Sequence, residues 1–180
     1  MVNRLDVLVR ELRPDDIPAI NVIHNQRAVA SSTLQIPFLT EAERAERWKP
    51  GPDLRMIVAE ADGQVVGLAG LTLHTRRRAH VGAIGMGVDE RVHGRGVGTA
   101  LLAALLDLAD NWYNLRRLEL EVYTDNQAGI RLYQRSGFTI EGTHRAYAYR
   151  DGAFADAYTM ARLRNEPPIA LPDATAPPDE

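Results

Sequence analysis

Residues 88–102 read VDERVHGRGVGTALL. A strand-like run ends at Val88, three glycines follow at alternate positions from Gly94 to Gly98, and an apolar three-to-four repeat typical of a helix begins at Val97. Glycine lets a backbone turn tightly and approach a ligand closely. Loop amides and the unpaired donors of a helix N-terminus together bind anions. The segment therefore predicts a cradle for a phosphate or pyrophosphate group.

Two common nucleotide loops are excluded by the spacing. A P-loop needs a lysine after its last glycine, but here Thr99 follows Gly98 directly. A dinucleotide-binding fingerprint needs a third glycine three positions after the second, and Gly98 stands only two after Gly96. Arg91 and Arg95 add positive charge that suits a phosphate. For this segment taken alone, a tight turn without a ligand stays the alternative.

Periodicity along the rest of the chain predicts a mixed α/β domain in the order β-α-α-β-β-β-α-β-α-β-β, with an antiparallel front half. The predicted strands cover residues 7–12, 56–61, 65–73, 80–88, 117–123, 138–149 and 153–163. The predicted helices begin near residues 15, 40, 97 and 126. Thr40 and Glu43 form a capping-box pattern, and Asp62-Gly63 is a hairpin signal. Residues 25–38 show no clear period and are predicted to be a long loop.

A second motif stands about thirty residues downstream, where residues 126–133 read NQAGIRLY and Gly137-Phe138 follow. The two motifs resemble the pyrophosphate loop and the second signature of the GNAT acetyltransferase superfamily. The resemblance covers roughly residues 6–163. It implies the GNAT fold, an α+β arrangement in which about four helices flank a mixed central sheet of about six to seven strands.

Two positions depart from the family patterns. His93 stands at the leading place of the loop, where glutamine or arginine is usual, so a side-chain role there is open. Gly129 stands where alanine is usual, and glycine weakens a helix slightly. Neither change is expected to affect the chemistry.

The resemblance implies an N-acetyltransferase that uses acetyl-CoA as co-substrate, with no metal. The backbone of the strand before the loop is expected to pair with the pantetheine arm, the loop to hold the pyrophosphate, and Asn126 to bond a pantetheine amide. The expected acetyl-CoA-binding residues are Met86, Gly87, Val88, His93, Gly94, Arg95, Gly96, Val97, Gly98, Thr99, Asn126 and Tyr133.

The chain contains no cysteine, so no acyl-cysteine can form and the amine is expected to attack the thioester directly. Tyr133 is the candidate acid for the leaving thiolate, and Glu121 is the candidate base for the amine. Each has a structural alternative. Tyr133 can be a half-buried core aromatic, Glu121 a solvated strand residue, and Asn126 a helix cap.

The acceptor site is expected to be built from the long loop and the last two strands. Its candidate residues are Thr33, Leu34, Gln35, Tyr147 and Tyr149. These stretches resemble a GNAT subgroup that N-acetylates free L-amino acids such as phenylalanine and methionine. A substrate carboxylate would need an arginine, for which the sequence offers three candidates without ranking them, Arg27, Arg145 and Arg150.

Two other functions stay open. A protein N-terminal or lysine acetyltransferase would need an open groove for a peptide. A non-catalytic acetyl-CoA-binding module would not need Tyr133. The fold by itself does not decide among the three.

Composition limits the remaining possibilities. The formal net charge is −3, without the basic footprint of a nucleic-acid-binding protein. No apolar stretch suits a signal peptide or a membrane span, so the expected location is cytoplasmic. Residues 165–180 hold five of the ten prolines and are expected to be a disordered tail after a domain of residues 1–164. A homodimer is expected from the resemblance.

Overall fold

The computed structural model describes residues 4–164, so the predicted tail at 165–180 lies outside the described residues. Seven strands form one sheet of order β1-β2-β3-β4-β5-β7-β6. The strands are β1 (Leu8–Glu11), β2 (Leu54–Ala61), β3 (Gln64–Leu73), β4 (Val81–Val88), β5 (Arg117–Tyr123), β6 (Thr139–Arg150) and β7 (Ala153–Leu163). The helices are α1 (Ile17–Asn25), α2 (Arg27–Ser32), α3 (Glu41–Arg47), α4 (Val97–Asp107) and α5 (Gln127–Arg135). The predicted α/β class is confirmed, and the seven strands occur along the chain where they were predicted.

Strands β1 to β4 form an antiparallel meander. The predicted hairpin joins β2 to β3, and its two central residues, Asp62 and Gly63, have φ of 51° and 72°. Positive φ at both positions is the type I′ geometry whose twist matches that of paired strands. Local sequence therefore fixes the register of the sheet that supports the site.

The sheet opens between β4 and β5. These two strands run parallel, but they pair only from Val81–Arg117 to Ala83–Glu119. On its other edge β5 pairs with β7 along its whole length, from Arg117 to Tyr123, so the sheet continues there while the β4 side opens. The second half of β4 thus has β3 on one side and an open edge on the other.

Each face of the front sheet is covered by helices. On one face, α4 packs against β3, and the apolar side chains at Val97, Leu101 and Leu105 are buried as predicted. On the other face, a smaller core joins α1 and Trp48 to β2 and β3, with the members Ile20, Trp48, Met56, Val58 and Leu68. Within residues 4–164, no helix has the length and apolar character needed to cross a membrane.

Two helix predictions were incomplete. Residues 25–38 were predicted as a loop, but Arg27–Ser32 form α2. Six residues with Val29 as their one buried member are too short to show a helical period, and side-chain hydroxyls hold the last turn. The count of about four helices was therefore short by one. The apolar spacing of Val97, Leu101, Leu105, Leu108 and Trp112 predicts one regular helix to Trp112, but α4 ends at Asp107 and a π-helical turn at Leu108–Trp112 leaves Trp112 exposed.

A bulge interrupts β6 between His144 and Ala148. Its residue Ala146 has φ of 51°, and its backbone N–H donates to the Asp156 carboxylate at 2.7 Å. A bulge re-aims the neighbouring side chain. Here it accompanies the turn of Tyr147 toward the opening between β4 and β5.

Candidate active site

A cleft of about 1010 Å³ enters the sheet where β4 and β5 separate. It brings together most of the residues that the sequence singled out. The lining includes Thr33, Leu34, Gln35, Met86, Gly87, Val88, His93, Gly94, Gly96, Val97, Gly98, Thr99, Glu121, Asn126, Tyr133 and Tyr147. Arg95 and Tyr149 are not among the lining residues. The Tyr149 ring lies at the tip of the β6–β7 hairpin, 67% exposed, and packs on Phe154.

The open edge of β4 presents backbone groups to the cleft. The N–H of Asp89 bonds the Val66 carbonyl, and pairing alternates along an antiparallel ladder. The backbone of Gly87 therefore faces β3, whereas Met86 and Val88 direct theirs to the open side. These two residues can pair with an extended amide chain as a further strand would.

The glycine loop forms the predicted strand-to-helix turn. Gly94 and Gly96 have φ of 75° and 95°, which disfavours any other residue there. Helix α4 starts after Gly96 with no side-chain cap, so its first amides are available to a ligand. A Cβ at Gly98 would lie 3.3 Å from Leu132, so the loop also packs closely against α5. This cradle fits a pyrophosphate.

His93 supports the loop by its side chain. Its Nε2 lies 2.9 Å from the Val88 carbonyl oxygen, so the ring donates to one of the backbone groups at the open edge. His93, which departs from the family pattern, thus links the loop to the end of β4 by a side-chain hydrogen bond.

Asn126 is both a helix cap and a cleft residue. Its Oδ1 accepts from the Gly129 N–H at 2.9 Å, which caps α5. A Cβ at Gly129 would lie 3.0 to 3.1 Å from the Asn126 side chain, so the glycine gives that side chain room. The Nδ2 group of Asn126 remains as the donor for a ligand in the cleft.

Tyr133 lies on α5 with its ring almost fully buried against Phe138, at 5.9 Å between centroids. Burial raises the pKa of the phenol to about 12. The hydroxyl therefore stays protonated across the neutral range, where it can give up a proton but cannot act as a base. This is the state that a leaving thiolate requires.

The opposite wall holds Glu121 and Tyr147. Glu121 is exposed to the cleft from β5. Burial raises the pKa of Tyr147, and the negative charge of Glu121 raises it further. Tyr147 stacks on His144 and meets the edge of Tyr123, which fixes the aromatic side of this wall.

Helix α3 adds a buried cation that the sequence reasoning missed. Arg44 is completely buried, and its guanidinium donates to the amide oxygens of Asn21, Asn25 and Gln35 at 2.7 to 3.0 Å. These bonds go to neutral groups, so the charge is not neutralised by a carboxylate among the described residues. Burial accordingly lowers the pKa of Arg44. Neighbouring Arg47 lines the cleft.

His24, on α1, was also missed. It is 4% exposed, it lines the cleft, and its ring meets Trp48 at 4.6 Å between centroids. Neither ring nitrogen has a hydrogen-bond partner among the described residues. Burial, followed by the charge of Arg44, lowers the pKa of His24 to about 3, so the imidazole is neutral.

The floor beside these residues is a shallow trough. The register aligns Met56, Gly70 and Gly85 across β2, β3 and β4 on the face covered by α1. A Cβ at Gly85 would meet nothing within 4 Å, so this part of the trough is open. Its apolar lining includes Trp48, Leu54, Met56 and Leu68.

The three arginines proposed for a carboxylate do not line the cleft. Arg27 pairs with Asp151 at 3.0 Å. Arg150 pairs with Asp125 and lies over the Tyr123 ring, where it supports the wall. The sequence places Arg27 and Arg150 near the acceptor stretches but does not show that each forms an ion pair with an aspartate.

Comparison with known proteins agrees with this arrangement. Residues 23–138, more than half of the chain, match the model of the acetyltransferase (GNAT) family. The chain belongs to the GNAT family. Members of this family transfer an acetyl group from acetyl-CoA. The protein is an N-acetyltransferase.

Individual GNAT relatives extend the comparison. The L-amino acid N-acetyltransferase AaaT of Escherichia coli is 39% identical over 88% of this chain and 99% of its own length. The N-alpha-acetyltransferase RimI of Mycobacterium tuberculosis is 38% identical over 64% of this chain and 70% of its own. The structure of yncA from Salmonella typhimurium with its cofactor acetyl-CoA has a TM-score of 0.78 at 23% identity, over 93% and 98% of the two chains, and shows the shared GNAT fold.

Proposed function

We propose that this GNAT enzyme acetylates the α-amine of a free L-amino acid with an apolar side chain. The observation that supports this most directly is the charge layout of the cleft. Glu121 is the one acid among the described residues that line it, and it stands on the β5 wall. The α3 wall has Arg47 at its surface and Arg44 behind it.

Opposite charges on two walls match a zwitterion. Arg47 forms no ion pair or hydrogen bond with a described residue, so its guanidinium can bind a carboxylate. Arg44 and Arg47 repel each other, and an anion between the cleft and α3 would relieve that repulsion. A polyamine has several positive charges and no carboxylate, so it would meet this wall unfavourably.

The apolar trough suits the side chain of the acceptor. The Met56 side chain lies over Gly70, and together with Leu68 and Trp48 it borders a floor that is open at Gly85. A phenylalanine or methionine side chain placed there would bury apolar surface at about 25 cal/mol per Å². The relationship to AaaT, whose name states L-amino acid acetylation, points the same way.

The chemistry follows from the residues around the cleft. The neutral α-amine attacks the thioester carbonyl carbon, a C–N bond forms, and the C–S bond breaks as the sulfur leaves. The buried Tyr133 hydroxyl donates to that sulfur, while Glu121, directly or through water, accepts the proton that the amine loses. The reference pKa near 8 belongs to the N-terminal amine of a peptide chain, and the α-amine of a free amino acid is more basic because its own carboxylate stabilises the ammonium. The bound ammonium must therefore lose a proton before it attacks, and Glu121 is the acid in the cleft lining whose carboxylate can accept it.

The test measures thiol release with three acceptors: L-phenylalanine, L-phenylalaninamide and spermidine. We expect turnover of L-phenylalanine and little turnover of spermidine. Replacing Arg47 by Gln should lower kcat/KM for the amino acid by about 10- to 100-fold and leave the amide unchanged, because a charged hydrogen bond contributes about 1.5–3 kcal/mol. Arg77→Gln, an exposed arginine outside the cleft lining, is the matched control.

A protein N-terminus, whose amine is also an α-amine, is the second candidate, because the name of the relative RimI states N-alpha acetylation. A peptide has an α-amine without an adjacent carboxylate. Turnover of a short peptide at a higher kcat/KM than L-phenylalanine, unaffected by Arg47→Gln, would replace the amino-acid proposal by this one.

A further inference from the structure

His24 is an unexplained group in the wall of the cleft. Burying a polar atom without a partner costs about 1–3 kcal/mol, and native proteins rarely leave both nitrogens of a buried ring unpaired. Here Nδ1 and Nε2 are both buried and have no partner among residues 4–164. The ring nevertheless lines the cleft. A ligand in the cleft can supply the missing bond.

The position of the ring relates it to the open edge of β4. A Cβ at Gly87 would lie 2.6 Å from His24 Cε1 and 2.9 Å from its Nε2. Only glycine at 87 therefore allows the imidazole to lie this close to the strand. Gly87 stands between Met86 and Val88, whose backbone groups face the cleft. It is two residues along β4 from Gly85, on the same face of the sheet, where the trough is open. The ring thus lies where the donor edge and the acceptor trough meet.

The surroundings keep the ring uncharged. Trp48 packs against it and Gly87 lies beside it, both without charge, and the titratable group whose charge acts on it is Arg44 on α3. Burial and that positive charge both disfavour the imidazolium. A neutral imidazole always keeps one nitrogen that accepts a hydrogen bond, whereas a protonated one keeps none.

We propose that His24 accepts a hydrogen bond from the N–H of the attacking amine and directs the amine lone pair toward the thioester carbonyl. The inference deepens the proposed function, since it names a residue that contacts the acceptor in the same site. No proton passes to His24, whose basicity is too low for that task. The role is orientation, and its benefit lies in holding two reactants in a productive geometry.

The experiment uses three variants with the amine that the wild-type enzyme turns over. His24→Phe keeps a ring of similar size without nitrogens and should lower kcat by about 10- to 100-fold, with the dissociation constant for acetyl-CoA within twofold of wild type. His24→Asn restores an acceptor oxygen and should recover part of the loss. Gly87→Ala should resemble His24→Phe, because its methyl group displaces the ring. His80→Asn, at an exposed histidine, is the control.

Two kinetic results would overturn the proposal. An unchanged kcat in a folded His24→Phe variant would make the residue structural. A shift of the acidic limb of the pH profile in the His24 variants, while wild type and His80→Asn agree, would make it a titrating base instead. A wild-type enzyme that turns over amines other than amino acids would contradict the proposed function and leave this test intact, since it runs on any accepted amine.

A spectroscopic readout covers the case of a misfolded variant. In ¹⁵N-histidine-labelled wild-type protein with CoA bound, adding the acceptor should shift the signal of the unprotonated His24 nitrogen, while the ring stays neutral from pH 5 to 8. No shift at a saturating acceptor concentration would also overturn the proposal.

Discussion

The two sides of the cleft are built in different ways. The donor side consists of the β4 edge, the glycine loop and the start of α5, and it works through backbone groups arranged by nearby residues. The proposed acceptor side consists of side chains on α1 and α3. His24 lies against Gly87 of β4, and Arg44 is held by amides of α1 and of Gln35, so both arrangements exist only in the folded chain. If the proposed sites are correct, short-range geometry sets the choice of acetyl donor and long-range packing sets the choice of acceptor.

The largest effect is expected from removing the proposed acid on the donor side, the Tyr133 hydroxyl. Tyr133→Phe should lower kcat by about 100-fold and leave acetyl-CoA binding unchanged, since a positioned acid contributes about 10²–10⁴-fold. With a pKa raised to about 12, the wild-type hydroxyl stays protonated below that pH, so kcat should not fall between pH 7 and 10. Steady-state kinetics across this range check both statements. An alkaline loss of kcat near pH 8 that disappears in Tyr133→Phe would contradict them.

The next effect tests whether backbone shape alone makes the donor side. Gly96→Ala places a side chain at φ of 95° and its Cβ 3.1 Å from Arg4. We expect acetyl-CoA affinity to fall about 10-fold and stability to fall by about 1 kcal/mol. Calorimetric titration and chemical unfolding measure the two quantities. Gly51→Ala, where a Cβ would meet nothing within 4 Å, serves as the control.

A third effect, on stability alone, tests the acceptor side through pH. The folded pKa of His24 lies near 3, below the unfolded value of 6.5, so its contribution to stability is complete above pH 6.5. As the pH falls from 6.5 toward 3, His24 becomes protonated in the unfolded chain but stays neutral in the folded chain. Wild type should therefore lose about 1.4 kcal/mol per pH unit relative to His24→Asn. Urea unfolding at several pH values measures the difference, and parallel curves for the two proteins would refute it.

The smallest effect tests whether Asn126, at the start of α5, takes part in donor binding. Gly129→Ala gains about 1 kcal/mol of helix propensity and crowds Asn126, whose side chain would lie 3.0 Å from the new Cβ. We expect stability to change by less than about 1 kcal/mol and acetyl-CoA affinity to fall about threefold as Asn126 shifts. Thermal unfolding and titration check this. An affinity gain would mean that the Asn126 amide takes no part in donor binding.

The same contrast explains what the sequence could predict. The seven strands, the Asp62-Gly63 hairpin and the Thr40–Glu43 capping box were correct because each depends on residues close in the chain. The glycine loop could be recognised for the same reason. Short helix α2 gave no periodic signal.

The acceptor side could not be predicted in this way. His24 follows the apolar stripe of α1, and its special position depends on Gly87, 63 positions later. Arg44 stands in a charged segment typical of a solvated helix, yet amides from three separate positions bury it. The sequence held one signal of this buried site: Asn21 and Asn25 are polar residues at helical spacing on α1. In the fold both of them face Arg44 and accept its hydrogen bonds.

The early separation of β4 and β5 also gives the protein a built-in reporter of occupancy. The amides of Met86 and Val88 have no strand opposite them beyond the last pair at Ala83. In the free enzyme they should exchange their hydrogens with solvent far sooner than the flanking amides that bond β3. A donor lying along this edge would slow them selectively. Hydrogen exchange of a peptide that contains Met86 and Val88 can therefore measure the fraction of enzyme with bound donor during turnover, without a label on either substrate.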